Sequence, residues 1–201
     1  MKKLLCTLSA MTIACVVQAE TSPYVSIGGG YAGLFDSDIS WSGGGGELEY
    51  DPGYVIEGAA GMEFDTVSVR AELAISYQEN DGDTFTEGGV SMDASDVTVS
   101  ALAFMLNGYY DIQTESAITP YVLAGFGFIR ADLDTGDIDE SDTVLAGQVG
   151  AGVGYAVSDG VTIDLKYKLV TSQDIEFKDE DGKNEVENMG HQIQLGVRVM
   201  L

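Results

Sequence analysis

Cysteine is confined to Cys6 and Cys15 of this 201-residue chain. Beyond the N-terminal stretch there is no thiol to form a disulfide or to hold a metal. Proline occurs three times against 26 glycines, and no segment carries a helical period with caps, which argues against a helical domain. After the first residues no apolar run approaches the roughly 20 residues that a membrane-spanning helix needs. If the chain crosses a membrane it does so as a closed barrel, because in lipid every backbone N–H and C=O must find a partner inside the protein. Basic residues are scarce, 9 Lys and Arg against 33 Asp and Glu, for a formal net charge of -24. Such a chain is repelled by phosphate backbones, which excludes nucleic acid as a partner. Histidine occurs once, at His191.

What is present begins with a secretory signature. Lys2 and Lys3 precede an apolar stretch from Leu4 to Val17, interrupted by Thr7, Ser9 and Thr12, and Val17-Gln18-Ala19 offers a cleavage site. Residues 1–19 are therefore expected to be a cleavable signal peptide and 20–201 a single domain. An alternative lipoprotein signal around Cys15 has Thr12 where leucine is wanted.

The remaining chain reads as eight strands. In "MGHQIQLGVRVML" (189–201), Ile193, Leu195, Val197, Val199 and Leu201 alternate with Gln192, Gln194, Gly196, Arg198 and Met200, the period of two expected of a strand with one oily and one polar face. Seven further strand cores are expected at 24–33, 53–64, 67–78, 97–111, 121–130, 144–156 and 161–170, with the last at 190–201. The connections alternate between short and long. Asp65-Thr66, residues 112–120 and Ser158-Asp159-Gly160 are short, whereas 34–52, 79–96, 131–143 and 171–189 are long and polar. Short turns at one end and long loops at the other are the build of an outer-membrane barrel.

Face by face, the polar parity collects both signs of charge: Glu57, Glu63, Glu72, Asp111 and Asp164 with Arg70, Lys166, Lys168 and Arg198. On a soluble sandwich these would form a wet surface. In a small barrel they form an internal ion-pair network, and the oily parity, with no helix or second sheet to cover it, faces lipid. A two-residue turn at Asp65-Thr66 would set Gly61 opposite Arg70, with Glu63 and Glu72 nearby. Aromatic residues on the oily parity fall near strand ends: Phe64, Tyr110 and Tyr155 toward the short turns, and Tyr31, Tyr54, Tyr77, Phe128 and Tyr167 toward the long loops. Two aromatic girdles are expected of a lipid-facing wall; β propensity alone would also favour Tyr and Phe there. Glycine-rich strands such as that holding Gly150, Gly152 and Gly154 have weaker parity.

"TPYVLAGFGF" (119–128), "GAGVGYAVSDGVTIDLKYKL" (150–169), "LNGYYDI" (106–112) and the alternating terminal strand resemble the eight-stranded OmpA-like, opacity-type outer-membrane barrels. The resemblance implies an all-β, antiparallel, up-and-down transmembrane barrel in the bacterial outer membrane, with short periplasmic turns, extracellular long loops and both termini periplasmic. It also implies contact with outer-membrane lipid and lipopolysaccharide, and delivery by the barrel-assembly machinery. Where family barrels finish on an aromatic residue, this chain has Leu201.

Candidate chemistry is thin. Small barrels include hydrolases that rely on histidine, but His191 shares its parity with Ile193 and Leu195, which points it at lipid, and no Ser or Asp is placed beside it to complete a triad. No catalytic residue and no cofactor is expected. The long loops carry 24 of the 33 acidic residues. "DEDG" (179–182) resembles part of an EF-hand loop, yet with Gly182 sixth the first and twelfth places fall on Phe177 and Asn188, and both essential carboxylates are missing. Asp134, Asp137, Asp139, Asp179 and Asp181 remain candidates for loose divalent binding that bridges to anionic lipopolysaccharide; the plainer reading is a hydrated, self-repelling surface. "WSGGGGELEY" (41–50) reads as a flexible loop. Eight strands leave an interior just wide enough for side chains, which disfavours a wide pore. The expected function is a non-enzymatic envelope barrel displaying acidic loops. Adhesion to host or surface ligands is the alternative that the opacity-type resemblance suggests, and a narrow cation-favouring channel or a lipid-modifying enzyme rank behind it.

Overall fold

The computed structural model describes residues 21–201 except 36, 42–43, 88–89, 94–97, 135–138, 174, 180–181 and 187–188, and over the rest of 37–50, 82–93, 133–140 and 175–186 it describes the backbone alone. Residues 1–19, expected to be a signal peptide, lie outside the described residues. Thirteen strands follow one another: β1 (Thr21–Leu34), β2 (Ser37–Trp41), β3 (Gly44–Tyr50), β4 (Gly53–Phe64), β5 (Val69–Glu87), β6 (Val90–Asp93), β7 (Thr98–Asp111), β8 (Ile118–Asp134), β9 (Asp139–Ser158), β10 (Val161–Ser172), β11 (Ile175–Asp179), β12 (Gly182–Val186) and β13 (Met189–Met200). Eight of them close a ring. β1, β4, β5, β7, β8, β9, β10 and β13 each pair antiparallel with the next, and β13 returns to β1 through a register running from Tyr24↔Met200 to Leu34↔Gly190. A Leu201 N–H donates to Pro23 C=O at 2.9 Å, so the seam is bonded to its end. The 12 residues of β4, tilted at about 45°, cover roughly 28 Å of height, close to the ~30 Å thickness of a bilayer's hydrocarbon.

The alternation of the sequence becomes an inside and an outside. Ile27, Leu73 and Phe126 are 72%, 67% and 65% exposed on the outer wall, while Arg70, Glu72, Lys168 and Gln194 are at most 4% exposed on the inner one. The apolar parity thus forms a continuous outer belt, and the buried set is mostly polar. That is the reverse of a soluble domain and the pattern a lipid-solvated barrel requires.

Two sequence expectations are corrected. The turn between β4 and β5 is not Asp65-Thr66 but residues 65–68, with Ser68 at φ 56°; the strand expected from Val67 starts at Val69. The register moves by two residues, so Arg70 faces Glu63 and Glu72 faces Gly61. A shift of two keeps every side chain on its face. The second correction concerns the long loops. β5, β8 and β9 continue well past the expected ends, and Asp134↔Asp139 is still a paired position. Residues 44–50 of the stretch read as a flexible loop form β3. It pairs with β2 and β5, and β12 meets β2 at Glu185↔Ser40. These extensions escape the sequence pattern because above the bilayer both faces of a strand are wet, and the oily–polar alternation disappears.

Glycine has a steric role on the inner wall. Gly61 pairs with Tyr24 and Gly152 with Tyr121. A Cβ on Gly61 would come within 2.5 Å of Tyr24 Cζ, and one on Gly152 within 2.5 Å of Tyr121 Cζ and 2.6 Å of Leu165 O. Each inward tyrosine lies flat over a bare stretch of backbone. Gly152→Val should therefore destabilise the barrel by about 1–3 kcal/mol through overpacking, whereas Gly58→Ala, whose Cβ meets nothing within 4 Å, should stay within about 0.5 kcal/mol of the parent. Urea unfolding in detergent micelles measures both.

Candidate functional site

The barrel lumen brings together the inward charges from strands that are not neighbours. Arg70 on β5 grips Asp111 at the end of β7 with two bonds, Nε to Oδ2 and Nη2 to Oδ1, both 2.8 Å. Its guanidinium sits 4.3 Å from the ring centre of Tyr109 and 4.8 Å from that of Tyr121, so a bidentate ion pair and two aromatic faces hold one cation. Glu57 on β4 reaches across the lumen to β10, where Lys168 Nζ donates at 2.6 Å and Lys166 Nζ donates to the second oxygen. Arg198 on β13 bridges Asp164 and Glu63, each at 3.2 Å. Among the described residues no cation is bonded to Glu72. It accepts instead from Tyr24 O–H at 3.0 Å, Tyr109 O–H at 2.6 Å and Asn107 Nδ2 at 3.4 Å. All nine inward charges named from the sequence lie in this network, which runs from the short-turn end up to Lys168, the partner of Gln192 across the sheet. Glu63 and Lys166 are its half-buried members.

Above the charges lies a layer of amides that the sequence reading did not single out. Gln148 Nε2 donates to Asn107 Oδ1. Gln194 donates to Gln192 at 2.8 Å, Gln192 to Gln78 at 2.7 Å, and Gln78 to Asn80 at 2.7 Å. Asn80 Nδ2 then donates to the carbonyls of Ala32 and Asp51 at 3.0 and 3.1 Å. These amides and the tyrosines Tyr24, Tyr109 and Tyr121 share the inner parity with the charges, which is the signal that locates them. Their glycine partners obscured it: Gly125 faces Asn107 and Gln148.

Space inside is scarce at the charged level. The void bounded by Glu57, Arg70, Glu72, Asp164, Lys166 and Arg198 measures ≈ 20 Å³, about what one water occupies. Asp164 Oδ1 is buried there with no hydrogen-bond partner among the described residues.

On the outer wall, Tyr110, Tyr155, Tyr31, Tyr54, Phe128 and Tyr167 are exposed, and Phe64 and Tyr77 are half-exposed. Tyr77 O–H donates to Glu79 at 2.6 Å. Phe104 and Phe126 are exposed as well, so aromatic rings occur along the wall and not at its ends alone. His191 packs among Phe35, Tyr31 and Tyr167, with ring centres at 5.1, 5.7 and 6.2 Å, and lies over Gly33, where a Cβ would be 2.6 Å from His191 Cε1. Among the described residues no acid or hydroxyl orients its buried Nδ1. Asp134 and Asp139 face one another across the β8–β9 hairpin and Asp179 ends β11; Asp137 and Asp181 lie outside the described residues. No group of three or more potential metal ligands occurs among the described residues.

The family model of the outer membrane protein beta-barrel domain matches residues 4–199. The chain belongs to this family. Among curated proteins it resembles the outer membrane protein PagN of Salmonella typhimurium, 32% identical over 122 residues, which is 52% of this chain and 50% of PagN; the match spans about half the length of that relative. Among solved structures it resembles Neisserial surface protein A, with a TM-score of 0.61 and 23% identity over 90% of this chain and 99% of the other. It also resembles a major outer membrane protein of Thermus thermophilus, with a TM-score of 0.57 and 12% identity over 90% of this chain and 100% of the other. At these identities the structural likeness shows the barrel fold. This outer membrane barrel thus shares its architecture with them, while the contents of its lumen are read from its own residues.

The Arg70–Asp111 pair gives a direct check of the layer. Arg70→Met should cost about 3–5 kcal/mol because it leaves Asp111 buried without its cation, and Arg70→Met with Asp111→Leu should recover most of that loss. Unfolding of the single and double variants in micelles measures the coupling.

Proposed function

We propose that this chain is a non-enzymatic outer membrane barrel whose lumen is a structural plug and whose acidic long-loop end is turned outward. The observation that carries the reading is the charged layer: ion pairs and tyrosines bridge the lumen and leave a void of ≈ 20 Å³, too little for a hydrated solute. Charges committed to such pairs hold the wall in one shape and leave no path for substrate. The resident histidine supports the same reading, since aromatic rings surround it and no triad partner stands beside it among the described residues. The short turns and both ends of the described chain then face the periplasm, and lipopolysaccharide contacts the outer half of the aromatic-bearing wall.

A second reading, adhesion to host or surface ligands, is favoured by one specific feature. The long-loop end is not a set of loose loops: β2, β3, β11 and β12 pair with one another and with the extension of β5, which gives the acidic residues an ordered backbone to present.

Two measurements test the proposal. Purified barrel in planar bilayers should give no large, stable open channel; sustained conductance of hydrated ions would overturn the plug. On intact cells a membrane-impermeant maleimide should label Ser141→Cys near the long-loop end and leave Gln113→Cys in the β7–β8 turn unlabelled. The opposite pattern would invert the orientation.

A further inference from the structure

The lumen is not uniform along its height, and its long-loop half is built differently from the plug. There the inner wall is lined by Val99, Ala101, Ile129, Ala131 and Val170, small or branched apolar residues in positions where the lower half carries charges. They enclose a void of ≈ 80 Å³ that is open toward the long loops. A second void of ≈ 30 Å³ continues it downward to Ala103 and Met105 and shares Gln78, Ala101, Ile129, Val170 and Gln192 with it. No charged side chain lines either void among the described residues.

The floor is the amide layer. Gln192 Nε2 donates to Gln78 Oε1, and Gln78 Nε2 donates to Asn80. Each primary amide has two N–H donors and an oxygen with two lone pairs, so donors and acceptors remain at the bottom of an apolar well. Nearby, Gln194 Oε1 is buried with no partner among the described residues.

We infer that this vestibule is a binding site for a small neutral amphiphile: a short alkyl chain carrying a single hydroxyl or carbonyl group. Four observations fix that class. The walls are apolar and half-buried, so an apolar body is favoured there. The floor offers amide groups to one polar end of the ligand. The size suits a short alkyl chain and neither an aromatic ring nor a lipid, for the voids of ≈ 80 and ≈ 30 Å³ are smaller than the engineered apolar cavity of about 150 Å³ that takes a benzene ring. A charged ligand is disfavoured, because no charged side chain in the lining would compensate its lost hydration. The inference does not depend on whether the loops engage a host ligand.

The test uses the full barrel in lipid nanodiscs with isotope-labelled methyl groups, titrated with 1-butanol and, separately, with butyrate, its anionic counterpart. 1-Butanol should give saturable shifts at Val99, Ile129 and Val170, butyrate should bind roughly tenfold more weakly or worse, and Ala101→Phe, which fills the well, should abolish the shifts. A heat-modifiability gel establishes that the variant is folded, and Ala131→Leu serves as a second filling variant. Four results would overturn the inference: no saturable shift; equal shifts in the filled variants; equal response to butyrate; or shifts of the same size at the lipid-facing methyls of Leu73 and Leu165, the mark of simple partitioning into the bilayer. Contacts from this chain's own loops to Ala101 and Val170 in the unliganded barrel would likewise overturn it, since the well would then be filled by the protein itself.

Discussion

The constraint that governs this structure is the absence of water around the wall. Hydrocarbon offers no hydrogen bond, so each backbone group at membrane depth must be paired within the protein, and a sheet satisfies that condition without a free edge when its last strand meets its first. The pairing of β1 with β13 is therefore the condition on which the other seven pairings depend. It also fixes which parity is apolar. With lipid outside, Ile27, Leu73 and Phe126 belong on the surface and Arg70, Glu72 and Lys168 inside, and the ordinary relation between burial and hydropathy is inverted.

The inversion creates a problem that the lumen then solves. Eight strands enclose too little room for bulk water and too many polar side chains to be dry. Five carboxylates, Glu57, Glu63, Glu72, Asp111 and Asp164, share this space with four cations, Arg70, Lys166, Lys168 and Arg198. Ion pairs satisfy most of them, and the remaining carboxylate, Glu72, is held by two tyrosine hydroxyls and an amide. Several of the large side chains fit because a residue paired with them across the sheet is glycine: Gly61 beside Tyr24 and Glu72, Gly152 beside Tyr121 and Lys166, and Gly150 beside Lys168. The abundance of glycine is thus the counterpart of a crowded interior.

Much of this was legible in the residues. The bounds of β4 coincide with the expected 53–64, because a clean alternation ends in a turn at one end and a Pro-Gly pair at the other. The parity of Glu57, Arg70, Glu72, Lys166 and Lys168 followed from the same period. The start of β5 did not, since a four-residue turn with a positive φ at Ser68 looks in sequence like a tighter one. The extensions of β5, β8 and β9 were also hidden, for they leave the lipid and lose the pattern that lipid imposes. The amides and inward tyrosines were harder still. Gln192 and Gln194 read simply as a polar face, and Tyr24 and Tyr121 stand in glycine-rich strands where an aromatic residue gives no indication of its side.

The seam between β1 and β13 has a kinetic corollary. Its partners, Tyr24 with Met200 and Ser26 with Arg198, stand at opposite extremes of the polypeptide, so the contact that completes the cylinder has the greatest loop-closure entropy against it. Hairpins such as that turning at Asp159-Gly160 form between near neighbours and zip early. The finished wall is thus delayed until the farthest-apart segments collide in register, and until then two raw sheet edges must be shielded from other chains.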